Sequence, residues 1–225
     1  MNSRPIIGSG IQYYQRLNRY ISNEGLNFNI DEHLSIETMG ELLKKNIQKI
    51  GNCVFNDREN NPLRLRSNGT YFAGPEIINN SNYEGVLIKF KSINDEIWNN
   101  IDSEGIYFIT FNDKIVKIGM TEVSFHKRFQ SYRCGTRRAM NRGSCSTTNF
   151  VICEAIYTAL QSGINIDIYG IPISKETRIV NIYGKTANIP ISVVRGYEEI
   201  ITNIYKENNH NKIPPLCVQH ANNTS

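Results

Sequence analysis

Three scarcities in this 225-residue chain each remove a class of protein. No apolar run approaches the roughly 18 residues that span a bilayer, and the first residues lack the basic-then-apolar pattern of a secretory leader, so neither a membrane partner nor secretion is expected. The five cysteines, Cys53, Cys134, Cys145, Cys153 and Cys217, are odd in number and lack CxxC spacing. That argues against a disulfide framework and against a four-cysteine zinc site, and suits a reducing cytoplasm. His33, His210 and His220 have no cysteine or second histidine at ligand spacing. The third scarcity is local: from Val123 to Cys153 there is no Asp or Glu.

That acid-free stretch holds Lys127, Arg128, Arg133, Arg137, Arg138 and Arg142, a charge of +6 in a chain whose formal net charge is +4. The rest of the chain therefore sums to −2. With Phe125, Phe129 and Tyr132 interleaved, the stretch has what a phosphate-binding surface needs: cations to neutralise backbone charge and rings to fix the element in place. A solvated basic face is the plain alternative.

Hydrophobic spacing places elements along the chain. Ser35 to Ile50 carries Ile36, Met39, Leu42, Leu43, Ile47 and Ile50 at helical intervals, with Ser35 as N-cap. Residues 56–82 read as loops or a short hairpin, Tyr83 to Ser92 as a strand, and Ile93 to Ile101 as a short helix. Ile106–Phe111 and Lys114–Ile118 flank the turn residues Asn112 and Asp113, a hairpin pattern. A helix follows, with Thr121 as N-cap and Phe125, Phe129 and Tyr132 on one stripe. Further helices are expected at Ser146 to Ser162 and at Tyr197 to Lys206, the latter with Tyr197, Ile200, Ile201 and Ile204 inward. Strands at Ile164 to Ile173 and around Ile179 to Tyr183 lie between those two helices.

Gly105-Ile106-Tyr107, then Lys117-Ile118-Gly119, then Arg128 within the helix Phe125-His126-Lys127-Arg128-Phe129-Gln130-Ser131-Tyr132, resemble the signature of the GIY-YIG nuclease superfamily. Most members carry a tyrosine where this chain has Lys117; a lysine there is similar to a subset of type II restriction endonucleases. The resemblance implies an α/β fold, a small three-stranded mixed or antiparallel sheet flanked by helices. It places the nuclease domain at residues 103–219 with an inserted helix at 146–162, after a helical and loop-rich DNA-recognition or dimerisation extension at 1–102, and leaves a tail at 220–225.

It also implies site residues: Tyr107, Lys117, Arg128 and Tyr132, a metal-binding glutamate in Gly196-Tyr197-Glu198-Glu199, and a polar residue after Pro215. The flanking apolar pattern favours Glu198 and leaves Glu199 open; Gln219 is the nearest polar residue to tie the site together. Glu154 is a weaker competitor for the metal. The implied function is Mg²⁺- or Mn²⁺-dependent endonuclease cleavage of double-stranded DNA by a homodimer, with Lys127, Arg133, Arg137, Arg138 and Arg142 as phosphate contacts. A site-specific type II restriction enzyme is the first reading. A repair, homing or structure-specific member, or an inactive DNA-binding module, is the alternative.

The residue types suit that chemistry. Mg²⁺ is commonly held by one or two carboxylates plus water and phosphate, and an arginine grips a phosphate bidentately as a lysine does not. Either Lys117, if its pKa is depressed by burial and by Arg128, or Tyr107 would serve the attacking water. For the two to share that water they must share a sheet face. A strict two-residue turn with unbroken register would separate them, so a bulge or three-residue loop that sets Tyr107 directly across from Lys117 is expected.

Overall fold

The computed structural model describes residues 17–22, 24–56, 88–101, 104–136, 139–140 and 143–217. Its centre is one antiparallel sheet of five strands, not the expected three. The strands are β3 (Gln48–Phe55), β4 (Ile88–Ser92), β5 (Glu104–Phe111), β6 (Lys114–Thr121) and β7 (Ile166–Ile173), in the order β4-β3-β7-β5-β6. The difference arises at β3. Its first residues, 48–50, were expected to end a helix and 51–55 were assigned to no element, yet β3 pairs β4 on one side and β7 on the other. A two-strand ribbon, β1 (Ile21–Ser22) and β2 (Gly25–Leu26), precedes the sheet.

The helix expected to run from Ser35 to Ile50 stops early. Ser35 caps α1 (Ile36–Leu43) as expected, accepting from Thr38 N–H, but Lys44 takes a left-handed conformation at φ 49° and closes it. Ile47 and Ile50 are both buried, but in cores on opposite faces of the sheet, so they belong to no common helix face. Apolar spacing registered their burial and misassigned its cause.

One face of the sheet, led by Tyr107, Ile109, Ile166 and Ile168, is covered by α2 (Asp95–Asn99), α3 (Phe125–Arg133) and α4 (Thr147–Gln161). Ser146 caps α4, whose residues from Phe150 to Ala159 are all buried, so it is a central helix packed on all sides. The opposite face, with Ile106, Phe108, Ile115 and Ile118, is covered by α1 and by α5 (Val194–Asn208). On α5 the inward stripe is Val194, Ile201 and Tyr205. Tyr197 and Ile200, expected inward, are exposed. The helix is one phase step away from the expected one, and residue 198 falls on the inward stripe at i+4 from 194.

The strand expected around Ile179 to Tyr183 is β8 (Glu176–Ile182), paired only with β9 (Lys185–Ile191) in a separate ribbon. The helix α3 is capped by Ser124, which accepts from Lys127 N–H. The expected cap, Thr121, ends β6 and bonds Val123 instead. Among the described residues no helix is long and apolar enough to cross a membrane.

Candidate active site

The β5–β6 hairpin sets the geometry. Asn112 and Asp113 both adopt positive φ, 46° and 65°, the two-residue turn whose twist matches the flanking strands. Phe111 pairs Lys114 and Thr110 pairs Ile115. The register then shifts, so that Ile109 pairs Lys117 and Tyr107 pairs Gly119. The expected bulge exists, with the extra residue on β6 at Val116. Its sense is opposite to expectation: Lys117 faces Ile109, not Tyr107. Because Tyr107 and Ile109 are two residues apart on one strand, Lys117 and Tyr107 still share a face, diagonally.

That offset makes room for a ring. A Cβ on Gly119 would lie 2.2 Å from the Tyr107 hydroxyl, so the phenol leans across β6 at the one place where the strand has no side chain. The other cross-strand neighbour of Tyr107 is also a glycine, Gly170.

Helix α3 brings its stripe down on this spot. Tyr107 and Tyr132 are fully buried and hydrogen-bonded to each other through their hydroxyls. Arg128 Nε donates to Tyr107 Oη at 3.0 Å, and a terminal nitrogen of Arg128 donates to Tyr132 Oη at 2.8 Å. The guanidinium carbon lies 4.5 Å from the Tyr132 ring centroid. Phe129 packs edge-on against both tyrosines and stacks on Trp98, whose indole N–H donates to His126. Burial acts against the charge of Arg128, but the two tyrosines outweigh it and raise its pKa; burial raises that of Tyr132. Among the described residues Arg128 has no carboxylate partner, and two of its five N–H groups are used by the tyrosines.

Lys117 is buried on the same face. Its Nζ donates to Cys217 Sγ at 3.8 Å, and that sulfur also takes the Ile118 N–H at 3.5 Å. Burial alone would lower the lysine's pKa, and Arg128 lowers it too. Cys217, Tyr107 and Glu198 outweigh them, so the ammonium is held above its ordinary value. A lysine acting as general base would need the opposite shift.

Glu198 acts on Lys117 from the inward stripe of α5, half-buried, whereas Glu199 is exposed. Lys127 is exposed on α3. Arg133 is directed back to Gln130 and does not join the tyrosine pair. Glu154 is buried within α4. Arg137, Arg138, Arg142 and Gln219 lie outside the described residues.

Two participants were not legible in the sequence. Cys217 reaches Lys117 because the segment after Pro215 docks on the edge of β6, with Leu216 N–H bonded to Val116 C=O. Its position two residues beyond Pro215, near the expected polar residue, was the one signal that pointed to it. Glu104, buried at the start of β5, accepts from Ser192 Oγ at 3.0 Å and fastens the strand to the chain leading into α5. Nothing in its local pattern marked it.

The arrangement is two cations, Arg128 and Lys117, close enough to oppose one another's charge, with two phenols and one nearby carboxylate. Such a set is chemically suited to an anion. No group of three or more His, Cys, Asp or Glu side chains suited to a metal occurs among the described residues.

No family model matches the chain, and no curated protein matches it in sequence. Among solved structures it is similar to the restriction endonuclease HPY188I in complex with product DNA, at 19% identity over 96% of each chain and a TM-score of 0.49. It is also similar to a mutant of bacteriophage T4 EndoII, at 17% identity over 81% of this chain and 98% of that one, with a TM-score of 0.46.

Proposed function

We propose that the chain is a divalent-metal-dependent endonuclease of the GIY-YIG kind that hydrolyses double-stranded DNA, with site-specific type II restriction as its role. The observation that carries the reading is Arg128: half-buried, oriented by two tyrosine hydroxyls, without a carboxylate partner among the described residues and with N–H groups to spare. A guanidinium fixed in that way is pre-organised for two oxygens of one phosphate.

In this reading Arg128 holds the scissile phosphate and stabilises the charge that develops on it. Lys117, kept as an ammonium, adds a second positive charge beside it, and Tyr107 Oη orients the attacking water. Tyr132 fixes Arg128 and donates to a phosphate oxygen. Glu198 is the carboxylate that would hold the metal, Glu199 being exposed. One carboxylate with no wider acidic cluster fits Mg²⁺ or Mn²⁺ that retains waters and shares substrate oxygens. The bound ion would supply Lewis-acid stabilisation of the leaving oxygen. Lys127, Arg133, Arg137, Arg138 and Arg142 would contact phosphates along the duplex, and residues 1–102 would read bases and join two copies, one site per strand. Gln219 would support the site from the C-terminal segment.

The test is plasmid cleavage with Mg²⁺ or Mn²⁺, for which discrete fragments are expected. Arg128→Ala is expected to slow cutting by about 10²–10³-fold or more while retaining DNA binding. Fragments only from branched or damaged DNA would favour a repair or structure-specific enzyme, and binding without cutting under either ion would leave a DNA-binding module. Unchanged cutting by Arg128→Ala would overturn the assigned role of the arginine. Sedimentation with and without DNA tests the homodimer.

A further inference from the structure

The face of β3 and β4 turned away from α2, α3 and α4 carries a charge cluster that the sequence scatters. On β4, Ile88 is buried and Phe90 packs 5.0 Å from Phe129, so Lys89 and Lys91 point to the other side, where both are exposed. Lys91 pairs across from Asn52, Asn52 in turn from Asp167, and Lys49 from Tyr169. Cross-strand partners share a face, so Lys49, Lys89 and Lys91 stand together on it. The helices on this side, α1 and α5, are in the core formed with β5 and β6. Among the described residues no helix lies over β3 and β4 there.

Among the described residues the charges are poorly balanced. Asp167 is the acid that this pairing places among them, and it is taken by Lys49 at 2.7 Å. Lys89 and Lys91 have no carboxylate partner among the described residues. Lysines on an edge strand discourage strand addition, which would account for β4 alone. It does not account for two like charges side by side on one face, which repel.

We infer that this lysine-bearing sheet face, centred on Lys49, Lys89 and Lys91, is a second contact surface for the phosphate backbone of duplex DNA, separate from the basic stretch that contains α3. The inference rests on the reading of the chain as an enzyme of duplex DNA. Charge complementarity selects the occupant. Exposed lysine heads on four-carbon stems follow such a backbone without fixing its sequence.

The experiment is a fluorescence-anisotropy titration of a short labelled duplex, without divalent metal, over a range of KCl concentrations. The double variant Lys89→Gln/Lys91→Gln, both positions being exposed, is expected to reduce the slope of log K against log salt by about 0.9 for each phosphate no longer neutralised, or about 2 for the pair. Lys89→Arg/Lys91→Arg is expected to keep the wild-type slope. An unchanged slope and affinity in the glutamine variant, while the wild type binds duplex, overturns this surface alone. A change in self-association without a change in DNA binding also overturns it, in favour of a second copy as occupant. A wild type that binds no duplex overturns both this inference and the function on which it rests.

Discussion

At the scale of single residues, the site depends on partners that neutralise what burial would otherwise make costly. Lys117 is an ammonium in the interior whose nearest hydrogen-bond partner is a thiol. Cys217→Ala removes that acceptor and is expected to destabilise the fold by about 1–3 kcal/mol, because the charge stays buried with less support. Adding Lys117→Met should recover much of the loss, since the orphaned charge goes too. Urea midpoints of the two variants check this; a double variant as unstable as the single one would contradict it.

His33 gives a pH test at the same scale. Its Nδ1 bonds the Tyr205 hydroxyl at 3.0 Å in the interior, and burial foremost holds its pKa below the ordinary value of about 6.5. The folded protein therefore keeps the ring neutral where the unfolded chain takes up a proton. Its contribution is complete above that ordinary value and is lost as pH falls below it towards the lower folded one. Denaturant unfolding at pH 7.5 and pH 5 should show a smaller acid loss in His33→Gln than in the wild type, and equal losses would remove His33 from the account.

At the scale of elements, stability is expected to be uneven. The β5 strand is buried along its length and bonded on both sides, whereas β8 and β9 pair only with each other and expose Ile179, Ile182 and the fully exposed turn residue Tyr183. A two-strand ribbon with no packed face is marginal in water. Hydrogen exchange should find amides of residues 176–191 exchanging on the order of a hundredfold or more faster than those of β5. Comparable protection would mean that another surface covers the ribbon. Helix α5 illustrates a second element-scale effect: its rotation alone distinguishes Glu198 from Glu199, adjacent residues of identical chemistry.

At the scale of the molecule, the sheet joins both halves of the chain. Strand β7 from residues 166–173 pairs β5 on one side and β3, from the N-terminal half, on the other. A fragment of residues 103–225 would leave β7 as an open edge and uncover Ile166 and Ile168. It is expected to lack a cooperative thermal transition, as circular dichroism would show. A fragment that melts cooperatively would show that residues 1–102 are dispensable for folding.

What the sequence determined by itself is local. The β5–β6 hairpin follows from two β-rich runs around Asn112 and Asp113, the buried stripe of Phe125, Phe129 and Tyr132 follows from helical spacing, and the N-cap Ser35 follows from its side-chain chemistry. Tyr107, Lys117 and Arg128 were candidates through the resemblance of their motifs to the GIY-YIG signature. Only the tertiary structure decided what pairs over distance. The bulge at Val116 sets Lys117 diagonal to Tyr107, β3 enters the sheet through partners more than 30 residues away, and the C-terminal segment brings Cys217 to a lysine 100 residues earlier. Local pattern reports how a segment satisfies its own backbone and which of its faces is apolar. Register, helix phase and the neutralisation of buried charge depend on what packs against that segment, and this is fixed only when the whole chain closes.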